Sequence, residues 1–160
     1  MSISKTLIEF IVTGCYSGKS PRVPGTCGTL VAVILAYLLF LLFPLLAQPV
    51  PSLVLAGSMG ILAIWSVNVS YSLGLFGKTE DDPQQVVIDE VAGYFVTIAA
   101  LGCTLPHLIV GFVLFRVFDI WKPFPVHSLE RYPRGWGIVL DDLAAGIYAN
   151  LCTQLLFYVY

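Results

Sequence analysis

The chain has 160 residues, 11% of them charged and 58% hydrophobic, with a net charge of −2. Soluble domains carry roughly 25% charged residues, and a soluble all-α bundle would need outer helices with polar faces, which this sequence does not supply. No cluster of Lys or Arg offers the electrostatic footprint of nucleic-acid binding, so the composition points to an all-α, multi-span membrane bundle formed as one domain over residues 1–160.

The N-terminus does not read as a signal peptide, because Glu9 interrupts the apolar stretch and no small-residue cleavage site follows. Residues 16–29 (YSGKSPRVPGTCGT) are rich in glycine, hydroxyls and proline and carry Lys19 and Arg22. Glycines let backbone N–H groups approach an anion, and Thr26 or Thr29 is placed to cap a following helix, an arrangement suited to phosphate. Residues 23–77 then contain no Asp, Glu, Lys or Arg. A bilayer core about 30 Å thick takes about 20 apolar residues per helix. The run therefore predicts two spans, 30–47 and 53–73, separated where Pro44, Pro49 and Pro51 remove helix donors.

Lys78, Glu80, Asp81 and Asp82 precede a third predicted helix, 83–102. Asp82 reads as its N-cap, Pro83 as its first helical residue and Gln85 as the capping-box partner. This start puts Asp89 and Glu90 about two turns inside, with Gly93 leaving space beside Asp89. An ionisable pair inside an apolar helix is a functional signal. The fourth helix, 106–121, carries Arg116 and Asp119 near its C-terminal end, where a carboxylate opposes the macrodipole unless a cation compensates. The fifth, 142–160, starts at the Asp141-Asp142 doublet, which also suits an N-cap. Four to five spans result.

With five helices, every charged connection falls on one side of the membrane, and its Lys and Arg mark that side as cytoplasmic. Asp89, Glu90, Asp119, Asp141 and Asp142 gather there. Carboxylates packed together repel unless cations balance them. A hard cation with oxygen ligands, Mg²⁺, is the expected partner when a substrate brings phosphate oxygens. His107 and His127 offer no zinc-like spacing, and Cys15, Cys27, Cys103 and Cys152 form no C-x-x-C pair and read as small packing residues.

Four segments together resemble the phosphatidylglycerophosphatase A family along almost the whole chain: residues 14–30 (GCYSGKSPRVPGTCGTL), 87–90 (VIDE) followed by Gly93, 115–125 (FRVFDIWKPFP), and 135–142 (GWGIVLDD) through Gly146. Within that pattern Lys19 stands where the family is often apolar, and Arg134 replaces the first of two glycines before the Asp pair. The resemblance implies Mg²⁺-dependent hydrolysis of phosphatidylglycerophosphate to phosphatidylglycerol and inorganic phosphate in a bacterial inner membrane. The expected metal-binding and base pool is Asp89, Glu90, Asp119, Asp141 and Asp142. Arg116, Lys122 and Arg22 are the expected phosphate cations, with Ser20, Gly25, Thr26, Gly28 and Thr29 in the substrate loop. The expected partners are a phospholipid substrate and the membrane, and an oligomer is compatible with the sequence. A CDP-alcohol phosphotransferase would also place aspartates and Mg²⁺ at a membrane face, but its D-G-x-x-A-R pattern is absent. A carboxylate-dependent transporter would be expected to show repeated halves, and none is visible.

Overall fold

A computed structural model of the chain describes residues 4–76, 83–102 and 104–159. Among them there is helix and turn but no strand. The chain runs through α1 (Lys5–Val12), α2 (Pro24–Leu42), α3 (Pro49–Ser72), α4 (Ile88–Ile98), α5 (Leu105–Trp121), α6 (Val126–Leu129) and α7 (Gly135–Val159), with short 3-10 turns at Ser17–Lys19 and Pro44–Ala47.

Helix α2 begins six residues before the expected start at residue 30, because Pro24 occupies a first-turn position and its fixed φ favours a helix start there. Gly25, Thr26, Gly28 and Thr29 are therefore helical and not part of a loop. Neither threonine caps the helix, and the Thr29 hydroxyl instead donates to the Gly25 carbonyl at 2.9 Å. The helix stops at Leu42, short of the expected residue 47, as the residue before Pro44 is driven out of helical geometry. Helix α3 starts at Pro49 and not at residue 53, since first-turn prolines remove only donors that have no helical partner anyway.

The third helix departs furthest from expectation. It spans Ile88–Ile98, not 83–102, so Asp89 and Glu90 sit in its first turn and not two turns inside. Residues 84–87 are turn and extended chain because they dock elsewhere. The Val87 N–H donates to the Val12 carbonyl at 2.9 Å, and Gly18 lies so close to the Gln85 carbonyl that a Cβ would collide with it. The expected cap Asp82, like Lys78, Glu80, Asp81 and Cys103, lies outside the described residues. At 11 residues α4 is about 16 Å long, about half a bilayer core. Its C-terminal carbonyls end inside the bundle, where an unsatisfied group is costly. Asn150 meets that need by donating to the carbonyls of Val96, Thr97 and Ala99 at 3.2, 2.8 and 2.8 Å, while the Ala100 N–H donates to the Ser52 hydroxyl at 2.9 Å.

Helix α5 matches its expected span to within one residue. Helix α7 starts at Gly135, so Asp141 and Asp142 lie nearly two turns inside it and do not cap it. Helices α1 and α6 had no counterpart in the sequence reading. α1 is one short apolar stripe, with Ile8 and Val12 buried one turn apart.

Large apolar side chains point outward while small ones fill the helix contacts. Leu30, Ile34, Leu41, Val54, Ile61, Ile109, Val113, Val117, Ile147, Leu151 and Leu155 are exposed. Ala32, Ala36, Ala56, Ala63, Ser66, Ser70, Ala92, Ala145 and Ala149 are buried. Small residues that let backbones approach are the packing device of helices whose outer surfaces meet lipid. Among the described residues, α2 and α3 are long and apolar enough to cross a membrane.

Candidate active site

The start of α2, the start of α4, the end of α5 and the second turn of α7 meet at one end of the bundle. They enclose a cavity of about 250 Å³ lined by Asp89, Glu90, Arg116, Asp119, Lys122, Asp141 and Asp142, with Pro24, Gly25, Gln84, Val86, Ile120 and Ile138 completing it. All five acids expected from the sequence line this one space. They divide into three groups within it.

Asp89, Glu90 and Asp142 form the tightest group, with one carboxylate oxygen of each within 4.8 Å of the others. Asp89 and Asp142 are buried, and the buried Glu90 Oε2 makes no hydrogen bond. The nearest guanidinium nitrogen is 3.9 Å from Glu90 Oε1. Three converging carboxylate oxygens are the hard donor type that a small divalent cation takes, and the set contains no thiolate or imidazole.

Close packing brings these acids together from two chain regions. A Cβ on Gly93 would lie 2.7 Å from the Asp142 carbonyl oxygen and 2.6 Å from the Phe115 ring. Gly93 thus admits the α7 backbone and does not leave open space beside Asp89, as the sequence suggested. Gly146 repeats the device one turn on, facing the Gly93 carbonyl.

Asp119 belongs to the second group. Its Oδ2 forms an ion pair with Arg116 Nη1 at 2.5 Å, and the same guanidinium reaches the Thr29 hydroxyl at 3.4 Å. Asp119 is also near enough to Glu90 and Asp142 to repel both. Arg116 Nε is buried without a hydrogen-bond partner. A Cβ on Gly25 would strike Glu90 Oε1 and lie 3.3 Å from both terminal nitrogens of Arg116, so a larger residue there would have to displace the ends of those two side chains.

The third group is Asp141 with Lys122. Lys122 leaves α5 in a left-handed conformation (φ 46°), and its Nζ donates to Asp141 Oδ2 at 2.7 Å and to Glu130 Oε1 at 2.5 Å. Burial works against the ammonium, but the two carboxylates outweigh it and hold Lys122 above the ordinary lysine value. Glu130 is pushed below its usual range chiefly by the Lys122 hydrogen bond. Asp141 Oδ1 accepts from the Asp142 N–H at 3.0 Å, which fixes the doublet.

The remaining expected residues lie apart. Ser20 lines a neighbouring polar hollow with Lys19, Gln84 and Gln85. Arg22 is exposed and Thr26 half-buried, and neither lines the acidic cavity. Gly28 packs against Val87, where a Cβ would come within 2.6 Å. Glu130 and Gln84 were not anticipated. Glu130 lies in a charged loop with no spacing signal, and Gln84 falls in the expected first turn of a helix that instead starts at Ile88. Cys15 is exposed and left-handed, not a packing residue. His107 accepts or donates within 2.5 Å of the Thr104 hydroxyl and stacks on Phe157, and His127 is 3.1 Å from Glu130.

Comparison with known proteins gives the same direction. Residues 10–157 match the family model for phosphatidylglycerophosphatase A. A Bacteroides thetaiotaomicron protein with the provisional name phosphatidylinositol-3-phosphatase is 36% identical over 87% of this chain and 86% of its own length. The phosphatidylglycerophosphatase A of Escherichia coli is 34% identical over 87% of this chain and 77% of its own. That of Haemophilus influenzae is 32% identical over 89% and 83%. No solved structure matches the chain. With a family model covering nearly its whole length, this chain belongs to the phosphatidylglycerophosphatase A family and is a phosphatase.

Proposed function

We propose that the chain hydrolyses phosphatidylglycerophosphate to phosphatidylglycerol and inorganic phosphate, using Mg²⁺ held by Asp89, Glu90 and Asp142, at the cytoplasmic face of a bacterial inner membrane. The observation that carries this reading is the convergence of those three carboxylates within 4.8 Å beside Arg116 and Lys122 in a single cavity. The names of the Escherichia coli and Haemophilus influenzae relatives supply the substrate.

In the reaction a water oxygen adds to phosphorus, the bond from phosphorus to the glycerol oxygen breaks, and the glycerol oxygen leaves with a proton. When bound, the cation neutralises phosphoryl oxygens and acidifies water. Arg116, steadied by Asp119 and Thr29, binds the phosphoryl oxygens and opposes the charge they develop. The carboxylate pool takes the proton of the attacking water and passes it to the departing glycerol oxygen. Lys122 orients the doublet through Asp141 and adds positive charge at the rim.

Helices α2, α3, α5 and α7 span the bilayer, and α4 enters from the site end and stops midway. The outward leucines, isoleucines and valines of those four helices support this arrangement, as do Trp121, Phe124, Tyr132 and Trp136, which are exposed around the site end where aromatic belts sit.

Detergent-purified protein tests the reading on three lipids: phosphatidylglycerophosphate, phosphatidic acid and phosphatidylinositol 3-phosphate. Phosphate released from the first, stopped by EDTA and restored by Mg²⁺, is the expected result. Release from the inositide alone would transfer the substrate to that named for the Bacteroides thetaiotaomicron relative. Release from none of them would end the proposal.

A further inference from the structure

A second cavity, of about 440 Å³, lies beside the acidic one and is lined by Tyr71, Glu130, Tyr132, Arg134, Ile138 and Asp141. Ile138 and Asp141 line both cavities and so form the wall between them. Lys122 braces that wall from the acidic side, donating to Asp141 and to Glu130. Close packing holds the second cavity in shape. A Cβ on Gly135 would lie 2.9 Å from Asn68 Nδ2 and 3.1 Å from Val67 Cβ, so the start of α7 is seated on the C-terminal part of α3. A Cβ on Gly137 would collide with the Tyr132 carbonyl oxygen and lie 2.8 Å from that of Glu130, so residues 130–132 rest on the first turn of α7. Between these two seats Arg134 is held left-handed (φ 54°), a conformation that L side chains rarely take.

The acids of this cavity already have cationic partners. Glu130 Oε1 and Asp141 Oδ2 share Lys122, and Glu130 Oε2 is 3.1 Å from His127. Among the described residues Arg134 makes no ion pair and no side-chain hydrogen bond. It therefore brings to the cavity a guanidinium that nothing else engages. Tyr132 and Trp136, on either side of it in the chain, are exposed. In the proposed membrane arrangement such aromatics sit at head-group level, the depth at which the phosphodiesters of lipids lie.

We propose that this cavity is a second anion subsite, in which Arg134 takes the phosphodiester joining the lipid's diacylglycerol to its head-group glycerol while the terminal phosphate occupies the acidic cavity. The proposal rests on the lipid phosphatase reading. The substrate of that reading carries two phosphates on one three-carbon glycerol, and the protein has two adjoining cavities with a common wall, each with its own arginine. Arg116 binds the ester that is cleaved, and Arg134 binds the one that is kept. A planar fork of N–H donors matches the two free oxygens of a phosphodiester. Phosphatidic acid has no second phosphate and cannot fill both cavities, so the subsite selects lipids whose two phosphates are bridged.

The test uses the full-length protein in mixed micelles with two substrates, phosphatidylglycerophosphate and its analogue whose bridging phosphate is methylated to a neutral triester. Arg134→Gly is the main variant, because glycine takes the left-handed backbone of this position without strain. Arg134→Lys keeps the charge without the fork. The subsite predicts that wild-type protein favours the diester over the triester by about 10–100-fold in kcat/KM, the range of one charge-assisted contact. Arg134→Gly should lose that preference by weakening on the diester alone, chiefly in KM, and Arg134→Lys should keep part of it. A preference that is absent from wild-type protein, or undiminished in Arg134→Gly, overturns the subsite, while hydrolysis of phosphatidylglycerophosphate in the same assay leaves the phosphatase reading intact. Wild-type protein that hydrolyses neither lipid overturns both.

Discussion

Gly93 of α4 and Asp142 of α7 are in direct contact, with the Asp142 carbonyl oxygen 2.7 Å from where a Cβ on Gly93 would stand. That contact sets the distance between the two chain regions that supply the acids. Gly93→Ala should push α7 away, costing about 1–3 kcal/mol of stability as overpacking does. It should also lower kcat by an order of magnitude or more, because ligands displaced by about 1 Å lose their alignment. Thermal unfolding in detergent and phosphate-release assays on the same preparation measure the two effects. Unchanged activity in a normally folded variant would remove Gly93 from the account.

Arg116 joins Asp119, Thr29 and the cavity through one guanidinium. Replacing it with Ala removes the planar donor set at the phosphoryl oxygens and should lower kcat/KM by about 10²–10³-fold. Arg116→Lys keeps the charge but not the fork and should recover only part of that loss. Full activity in the lysine variant would show that charge alone suffices. A steady-state comparison of both variants decides this.

Lys122 and Asp141 are a partly buried pair at 2.7 Å. Lys122→Ala leaves the Asp141 carboxylate buried without its cation and should destabilise the protein by about 3 kcal/mol. Adding Asp141→Asn removes the stranded charge and should restore much of the stability without restoring turnover. A double-mutant cycle on unfolding midpoints reads the coupling. Strict additivity would contradict the pairing.

Much of this arrangement was legible in the sequence, because missing charges and isolated charges are both strong signals in an apolar chain. The uncharged run 23–77 and its prolines located α2 and α3, and the family-like segments picked out all five acids that line the cavity. The helix limits were less legible. The Asp82-Pro83 start signal was overridden by tertiary docking of residues 84–87 onto Val12 and Gly18. Gly93 looked like open space because a sequence does not show which backbone approaches a glycine. Nor could spacing show that Asp141 turns toward Lys122 while its neighbour Asp142 joins Asp89 and Glu90.

Asn150 closes the inner end of α4 through three carbonyls. Asn150→Leu should leave the Thr97 and Ala99 carbonyls without this donor and cost about 1–3 kcal/mol, seen as a lower unfolding midpoint in detergent. An unchanged midpoint would mean that the α4 terminus finds other partners.

The most direct test of the central claim is the rate of phosphate release from phosphatidylglycerophosphate as free Mg²⁺ is varied, in wild-type protein and in Asp142→Asn. The account predicts saturable dependence on Mg²⁺ in the wild type and near-complete loss of turnover in the folded variant. Release that persists in EDTA, or that survives Asp142→Asn with unchanged Mg²⁺ dependence, would contradict it.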